Sequence, residues 1–407
     1  MQYRGLVVLS MGAALWVAAR IAGSPGLEIV GMGLALLPLV AAGYGRMGRG
    51  RLRAQRRLTS TIAAPGQRIT IDVTINNPSA APTSLLLLQD HVPSGLGRPA
   101  RLVLTGIPAR SDQNVSYSLT PKQRGRYEVG PLTIDVSDPF ALTRRRVTFP
   151  HLDSLVVTPR VEELPGGLPA PTGTGAGSLP SQHLFRTGEE FYTMREYQEG
   201  DDLRRIHWPS VARSGKLMIR QDELARRSSV TIFLDTRTTA LGRSHSPAFE
   251  KAVSAAASVG VLLARSGFTL RLGTTELAPF SVGEEAFLET LAGVTDVPAQ
   301  ALRIERLRQA AAGDSTLVVV TAPPLPAEVA AITRVGTAYG PKIAVLVYPA
   351  DPSKFPPASQ SQLEGRASVA RLSLARAGWK VYVLTPEANL RDAWISLRNP
   401  LPVASGS

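Results

Sequence analysis

The side chains best suited to chemistry crowd into residues 186–227, which hold nine basic and eight acidic groups in 42 residues. Charged residues make up 19% of the whole chain, so this segment is strongly enriched, and the two signs alternate through it. Glu189, Glu190, Glu196, Asp201 and Asp202, together with His207, are the types that act as general acids, general bases or metal ligands. One reading therefore assigns them to a metal- or carboxylate-dependent hydrolase. Against it, His207 has no second histidine at i+3 or i+4, and it adjoins Trp208, a setting that is more often structural. The chain also has no cysteine, which excludes disulfides, thiolate zinc sites and thiol nucleophiles. It contains no Gly-x-Ser-x-Gly elbow, and no glycine-rich phosphate loop precedes its helical stretches. No catalytic constellation and no cofactor are expected.

Two further readings use the same residues. Arg195, Glu196, Asp201, Asp202, Arg204 and Arg213 can form buried or half-buried ion pairs that brace the segment, since the planar fork of arginine suits carboxylates. Such pairs give orientation more reliably than net stability. In the docking reading, Trp208 and Tyr197 are apolar anchors and the charges form a selective rim. Phe191, Tyr197, Ile206, Trp208 and Leu217 recur every few residues, a pattern that a disordered charged linker lacks.

The spacing of Gly188, Glu190, Phe191, Arg195-Glu196-Tyr197, Gly200-Asp201-Asp202, Arg204, Ile206, Trp208 and Ala212-Arg213 resembles the signature of the bacterial "domain of unknown function 58" family. Met194 and Val211 depart mildly from that pattern. The resemblance implies two membrane helices, a β-rich region, the signature and a von Willebrand factor A-like α/β domain. It also implies association with a MoxR-type AAA+ ATPase. In von Willebrand factor A-like domains the first strand ends in Asp-x-Ser-x-Ser, whose oxygens bind magnesium. Here that place is taken by Asp235-Thr236-Arg237-Thr238-Thr239. A guanidinium has no lone pair for a metal and brings the wrong charge. No acid follows the later run 316–322, where Pro323 and Pro324 stand instead. Asp235, Arg237 and Thr239 are thus expected to form a degenerate site in which Arg237 pairs with Asp235 and no metal is held.

These residues need elements to position them. Residues 5–23 and 27–45 are each apolar over 19 positions, close to the length of one membrane crossing. Ser24-Pro25-Gly26 allows only a hairpin between them. Arg46, Arg49, Arg51, Arg53, Arg56 and Arg57 follow without one acid, which reads as a topology signal and a contact for anionic lipid. Both termini are then expected in the cytoplasm and the hairpin in the inner membrane. The net charge of +13 is no nucleic-acid signal, because no basic surface interleaved with aromatics accompanies it.

Residues 58–160 carry short alternating runs at 68–76, 83–90, 114–120, 126–136 and 145–149, separated by turn residues, and are expected to form an antiparallel β-sandwich. Residues 161–182, rich in Gly, Pro, Ser and Thr, read as a flexible linker. The signature occupies 183–227. From 228 to 398, apolar runs at 229–235, 268–273, 316–322, 342–348 and 380–385 alternate with helical stretches at 247–266, 284–293, 300–312, 326–338, 361–377 and 387–397. That pattern predicts a Rossmann-like parallel sheet covered on both faces, with ligands at the carboxyl ends of its strands. Residues 399–407 are a tail. The reading as a whole is a membrane-anchored, cytosol-facing adaptor with an α/β plus β-sandwich architecture, whose expected partners are the lipid bilayer and a MoxR-type AAA+ ATPase or another protein.

Overall fold

The computed structural model describes residues 3–47, 52–80, 82–137, 142, 144–166, 192–198, 202, 206–222, 229–311 and 315–398. The chain divides into two units, Met1–Thr158 and Pro159–Ser407.

The first unit begins with α1 (Tyr3–Ile21) and α2 (Pro25–Met47), two apolar helices long enough to cross a membrane. They pack through small residues. A Cβ on Gly12 would lie 2.4 Å from the Ala35 nitrogen, and one on Gly31 would lie 2.6 Å from the Trp16 nitrogen, so the backbones approach as only glycine permits. Leu6, Val17, Leu39 and Val40 point outward, the arrangement that suits lipid and not water.

Ten strands follow: β1 (Arg53–Leu58), β2 (Ile62–Ala63), β3 (Ile69–Asn77), β4 (Leu85–Asp90), β5 (Ala100–Thr105), β6 (Ser111–Leu119), β7 (Gly125–Val129), β8 (Leu132–Ser137), β9 (Arg144–Phe149) and β10 (Asp153–Val157). They form sheets in the orders β1-β3-β6, β2-β10-β7 and β5-β4-β8-β9. The alternation in β3 puts Ile69, Ile71, Val73 and Ile75 into a core shared with Leu86, Leu88 and Ile134. The run 126–136 is not one strand. It breaks at Gly130, whose φ of +118° needs glycine and whose N–H donates to the His91 carbonyl, and its halves enter different sheets.

Arg56 also departs from expectation. Counted among the lipid-facing arginines, it is a core side chain: β1 pairs with β3, and the Arg56 side chain is only 4% exposed. Its guanidinium donates to both oxygens of Asp90 (3.0 and 2.8 Å), to Asp153 (2.7 Å) and to the Val129 carbonyl (2.7 Å). One cation therefore ties the strand that leaves the hairpin to three other strands.

The second unit opens with β11 (Tyr192–Glu196), α3 (Trp208–Ser214) and β12 (Met218–Asp222). An α/β arrangement follows: β13 (Ser229–Leu234), α4 (Thr238–Leu241), α5 (Pro247–Arg265), β14 (Thr269–Thr274), β15 (Phe280–Val282), α6 (Glu284–Ala292), α7 (Leu307–Ala310), β16 (Thr316–Thr321), α8 (Pro326–Gly336), β17 (Lys342–Val347), α9 (Pro357–Arg376), β18 (Lys380–Leu384) and α10 (Leu390–Arg398). The sheet order is β15-β14-β13-β16-β17-β18, all parallel except β15. The helix expected over 300–312 shortens to a 3-10 turn at Ile304–Arg306 and the single turn α7. Both faces of the sheet are covered. Ile232 and Val320 meet Phe249 of α5 on one side, while Phe233 and Val319 meet Ile332 of α8 on the other. Helix α5 is apolar enough for a membrane span, yet 83% of it is buried within the protein, so its composition reflects its place in the core.

The linker expected over 161–182 does not begin at 161. Glu162 pairs with Lys251 at 2.6 Å, both side chains nearly buried, and its second oxygen accepts from the Leu390 N–H at 2.7 Å, capping α10. Ser254 donates to the Arg160 carbonyl and Leu164 packs on the core, so the chain is fastened here. Residues 167–182 lie outside the described residues.

Candidate functional site

Two groups of expected site residues can be placed. In the signature, β11 and β12 form an antiparallel pair, with Arg195 opposite Ile219 and Glu196 opposite Met218. The Tyr197 N–H donates to the Leu217 carbonyl, and the His207 N–H donates to the Met218 carbonyl, so both ends of the intervening segment are pinned to β12. Ile219, buried at 4% exposure, is the apolar anchor of the pair. Helix α3 starts at Trp208 with Pro209 in its first turn, where a missing N–H costs nothing, and ends at Gly215 with φ +69°.

This scaffold leaves much of the signature in water. Trp208 is 67% exposed, and Glu196, Asp202 and Arg213 are exposed, while Tyr197 and His207 are half-buried. Glu196 pairs with Lys216 at 2.5 Å, but both side chains face solvent, so the pair contributes little stability. That contact raises the pKa of Lys216. The His207 ring is 2.9 Å from the Ser210 hydroxyl within its own helical turn. Asp201 and Arg204, with Glu189 and Glu190, lie outside the described residues, as does the side chain of Arg195. Among the described residues, no three histidine, aspartate or glutamate side chains come together as a metal site.

The second group sits at the carboxyl end of β13, between the strands where the chain reverses its direction across the sheet. Asp235 is fully buried. One oxygen accepts from the Arg237 N–H at 3.1 Å, from Arg237 Nε at 3.0 Å and from the Thr275 hydroxyl at 3.3 Å. The other accepts from Arg237 Nη2 at 2.8 Å and from the Thr321 hydroxyl at 2.7 Å. Arg237 Nη1 reaches the Gln300 carbonyl and Glu328 on α8, whose other oxygen accepts from the Leu325 N–H that opens that helix. Burial works to lower the pKa of Arg237, but its bonds to Asp235 and Glu328 raise it further, so it stays charged. Thr239 lies exposed on α4 and takes no part.

A divalent cation does not fit this arrangement. Both Asp235 oxygens are occupied by N–H and O–H donors, and the guanidinium places positive charge where a metal would need lone pairs. Beside it, Asp296 accepts from the Ser244 N–H and hydroxyl and from the Thr238 hydroxyl, which hold its pKa down at about 2. Thr275, Asp296, Gln300, Thr321 and Glu328 were not singled out from the sequence. Their one local signal is that Thr275 and Thr321 stand at the ends of apolar runs, and that becomes meaningful only when those strands are known to flank β13.

Residues 193–381 match the sequence profile of the family described as "Protein of unknown function DUF58". The uncharacterized protein YeaD of Bacillus subtilis (strain 168) is 24% identical over 252 residues, a match spanning 59% of this chain and 61% of that relative. The chain therefore covers under two thirds of that relative's length. Among solved structures, the CARDB domain of the PF1109 protein from Pyrococcus furiosus aligns with 26% of this chain and 91% of its own, at 13% identity and a TM-score of 0.19. The sporulation control protein Spo0M from Bacillus subtilis aligns with 26% of this chain and 49% of its own, at 13% identity and a TM-score of 0.16. Scores of that size bear on neither the fold nor the function of this chain. The resemblance to the DUF58 family thus runs through the segment that carries both the signature hairpin and the Asp235–Arg237 pair.

Proposed function

We propose that this protein is a membrane-anchored, cytosol-facing adaptor that docks a protein partner through its signature segment, the partner being a MoxR-type AAA+ ATPase acting in envelope-associated assembly. The observation that carries this reading is Trp208, 67% exposed at the head of a helix whose other residues are not buried either. A tryptophan serving only as an internal brace would be sunk in the core. An exposed one flanked by charged groups fits an interface anchor with a polar rim. The α/β unit is read as von Willebrand factor A-like, in keeping with its central first strand, its antiparallel edge strand β15 and the Asp235 at the end of β13. Arginines after α2 favour a cytoplasmic exit from the inner membrane, with two crossings.

The test uses the full chain in membranes. Trp208→Ala and Arg213→Ala should leave the melting temperature unchanged and abolish co-purification of the ATPase. Loss of folding in both variants would instead make the segment a brace, and retained ATPase capture in both would remove it from the interface. Because the chain has no cysteine, Ser396→Cys reports orientation: labelling by an impermeant thiol reagent from outside intact cells would refute the cytoplasmic placement.

A further inference from the structure

The two wide outer faces of the first unit's sandwich have different chemistry. On the β1-β3-β6 sheet, the outward positions carry Arg53 and Arg57 on β1 beside Asp72, Asp112, Asn114 and Ser116 on β3 and β6, so the two charges of each sign cancel and no large apolar side chain stands among them. On the β5-β4-β8-β9 sheet, one cross-strand row runs Val103, Leu87, Asp135, Arg146, and the row beside it includes Leu85 and Arg144. Val103 is 61% exposed and Leu85 is 48% exposed. Arg101 extends the face past Val103 on β5. Asp135 is the sole acid at these outward strand positions, and it is only 2% exposed because Arg144 and Arg146 fold over it. Three arginines less one aspartate leave this face a net charge of +2, next to uncovered aliphatic side chains.

We propose that this face seats on the surface of a bilayer containing anionic lipid, with Leu85, Leu87 and Val103 entering the headgroup boundary and Arg101, Arg144 and Arg146 against lipid phosphates. The tether favours lipid over an acidic protein as the occupant. Helix α2 ends at Met47 and β1 begins at Arg53, so the linking backbone can extend no more than about 20 Å. A sandwich held that close meets the bilayer at high effective concentration, and weak apolar and charge contacts then suffice to seat it. The inference rests on the hairpin lying in a membrane and is independent of the adaptor reading.

The absence of native cysteine makes the test direct. Full-length Val103→Cys and Ser116→Cys proteins, each carrying one fluorophore, are reconstituted in vesicles of phosphatidylcholine with or without phosphatidylglycerol. A nitroxide on the lipid headgroups should quench the Val103 label in the anionic vesicles and leave the Ser116 label bright. Adding Arg101→Glu, which touches neither Asp135 nor the core, changes the face by two charges and should lower the seated-to-lifted ratio about 25-fold. Equal quenching at the two positions would overturn the proposal. So would a Val103 label that stays open to aqueous iodide in anionic vesicles, or quenching unaffected by Arg101→Glu.

Discussion

Replacing Arg237 with methionine tests the central claim about the β13 terminus, that an internal guanidinium neutralises a buried carboxylate. The substitution keeps most of the volume and removes four side-chain hydrogen bonds: the Nε and Nη2 bonds to Asp235 and the Nη1 bonds to Glu328 and to the Gln300 carbonyl. Asp235 is left fully buried with its backbone donor and two threonine hydroxyls. Removing one partner of a buried ion pair costs roughly 3–5 kcal/mol. The three neutral donors that remain hold the value near the lower end, about 3 kcal/mol. For a unit of this size that corresponds to a fall in melting temperature of roughly 6–12 °C. The assay is thermal and urea unfolding of the full chain in detergent, followed by the fluorescence of Trp379 and Trp394, both buried in this unit. Asp235→Asn/Arg237→Met removes both charges and should recover most of the loss. If the double variant is as unstable as Arg237→Met alone, or if Arg237→Met costs under about 1 kcal/mol, the two groups are not a charge-neutralising pair.

The same logic applies to Arg56→Met, which strands Asp90 and Asp153 and should destabilise the sandwich by about 3–5 kcal/mol, whereas Tyr117→Phe, losing one hydroxyl bond to Asp90, should cost about 1 kcal/mol; comparable losses from the two variants would refute the charge assignment. Asp296 has a folded-state pKa of about 2 against an ordinary 3.8, so its contribution to stability is present above that ordinary value and lost as pH falls through the folded one. Asp296→Asn should flatten the stability profile between those values, and an unchanged acid limb would show that other carboxylates govern it. Gly12→Leu has no room against the Ala35 backbone, so it should separate the hairpin helices and raise protease sensitivity at residues 22–26 in vesicles. An unaltered cleavage pattern would mean that the helices do not pack through that glycine.

Much of the fold was legible because backbone periodicity is local. A period of two in Ile69, Ile71, Val73 and Ile75 marked β3, unbroken apolar runs marked the parallel strands, and two 19-residue stretches marked the helices. The Asp235–Arg237 pairing was also within reach of the sequence, since the two side chains are two residues apart at a strand end. The completion of that site was not. Glu328 joins Arg237 across 91 positions because α8 starts beside β13, a fact of strand order that no local pattern carries.

Charge placement divides along the same line. Composition by itself established a hairpin followed by an arginine-rich exit, the absence of thiol chemistry and a charged signature studded with aromatics. Only the tertiary structure decided which charges meet water. Arg56 turned inward because β1 pairs with β3 and faces Asp90 and Asp153, while Arg53 and Arg57 on the same strand stay exposed. Trp208 turned outward, and Asp135 vanished beneath two arginines. An arginine, a tryptophan and an aspartate carry no burial in their identity, because burial is set by what the chain brings against them from tens of residues away.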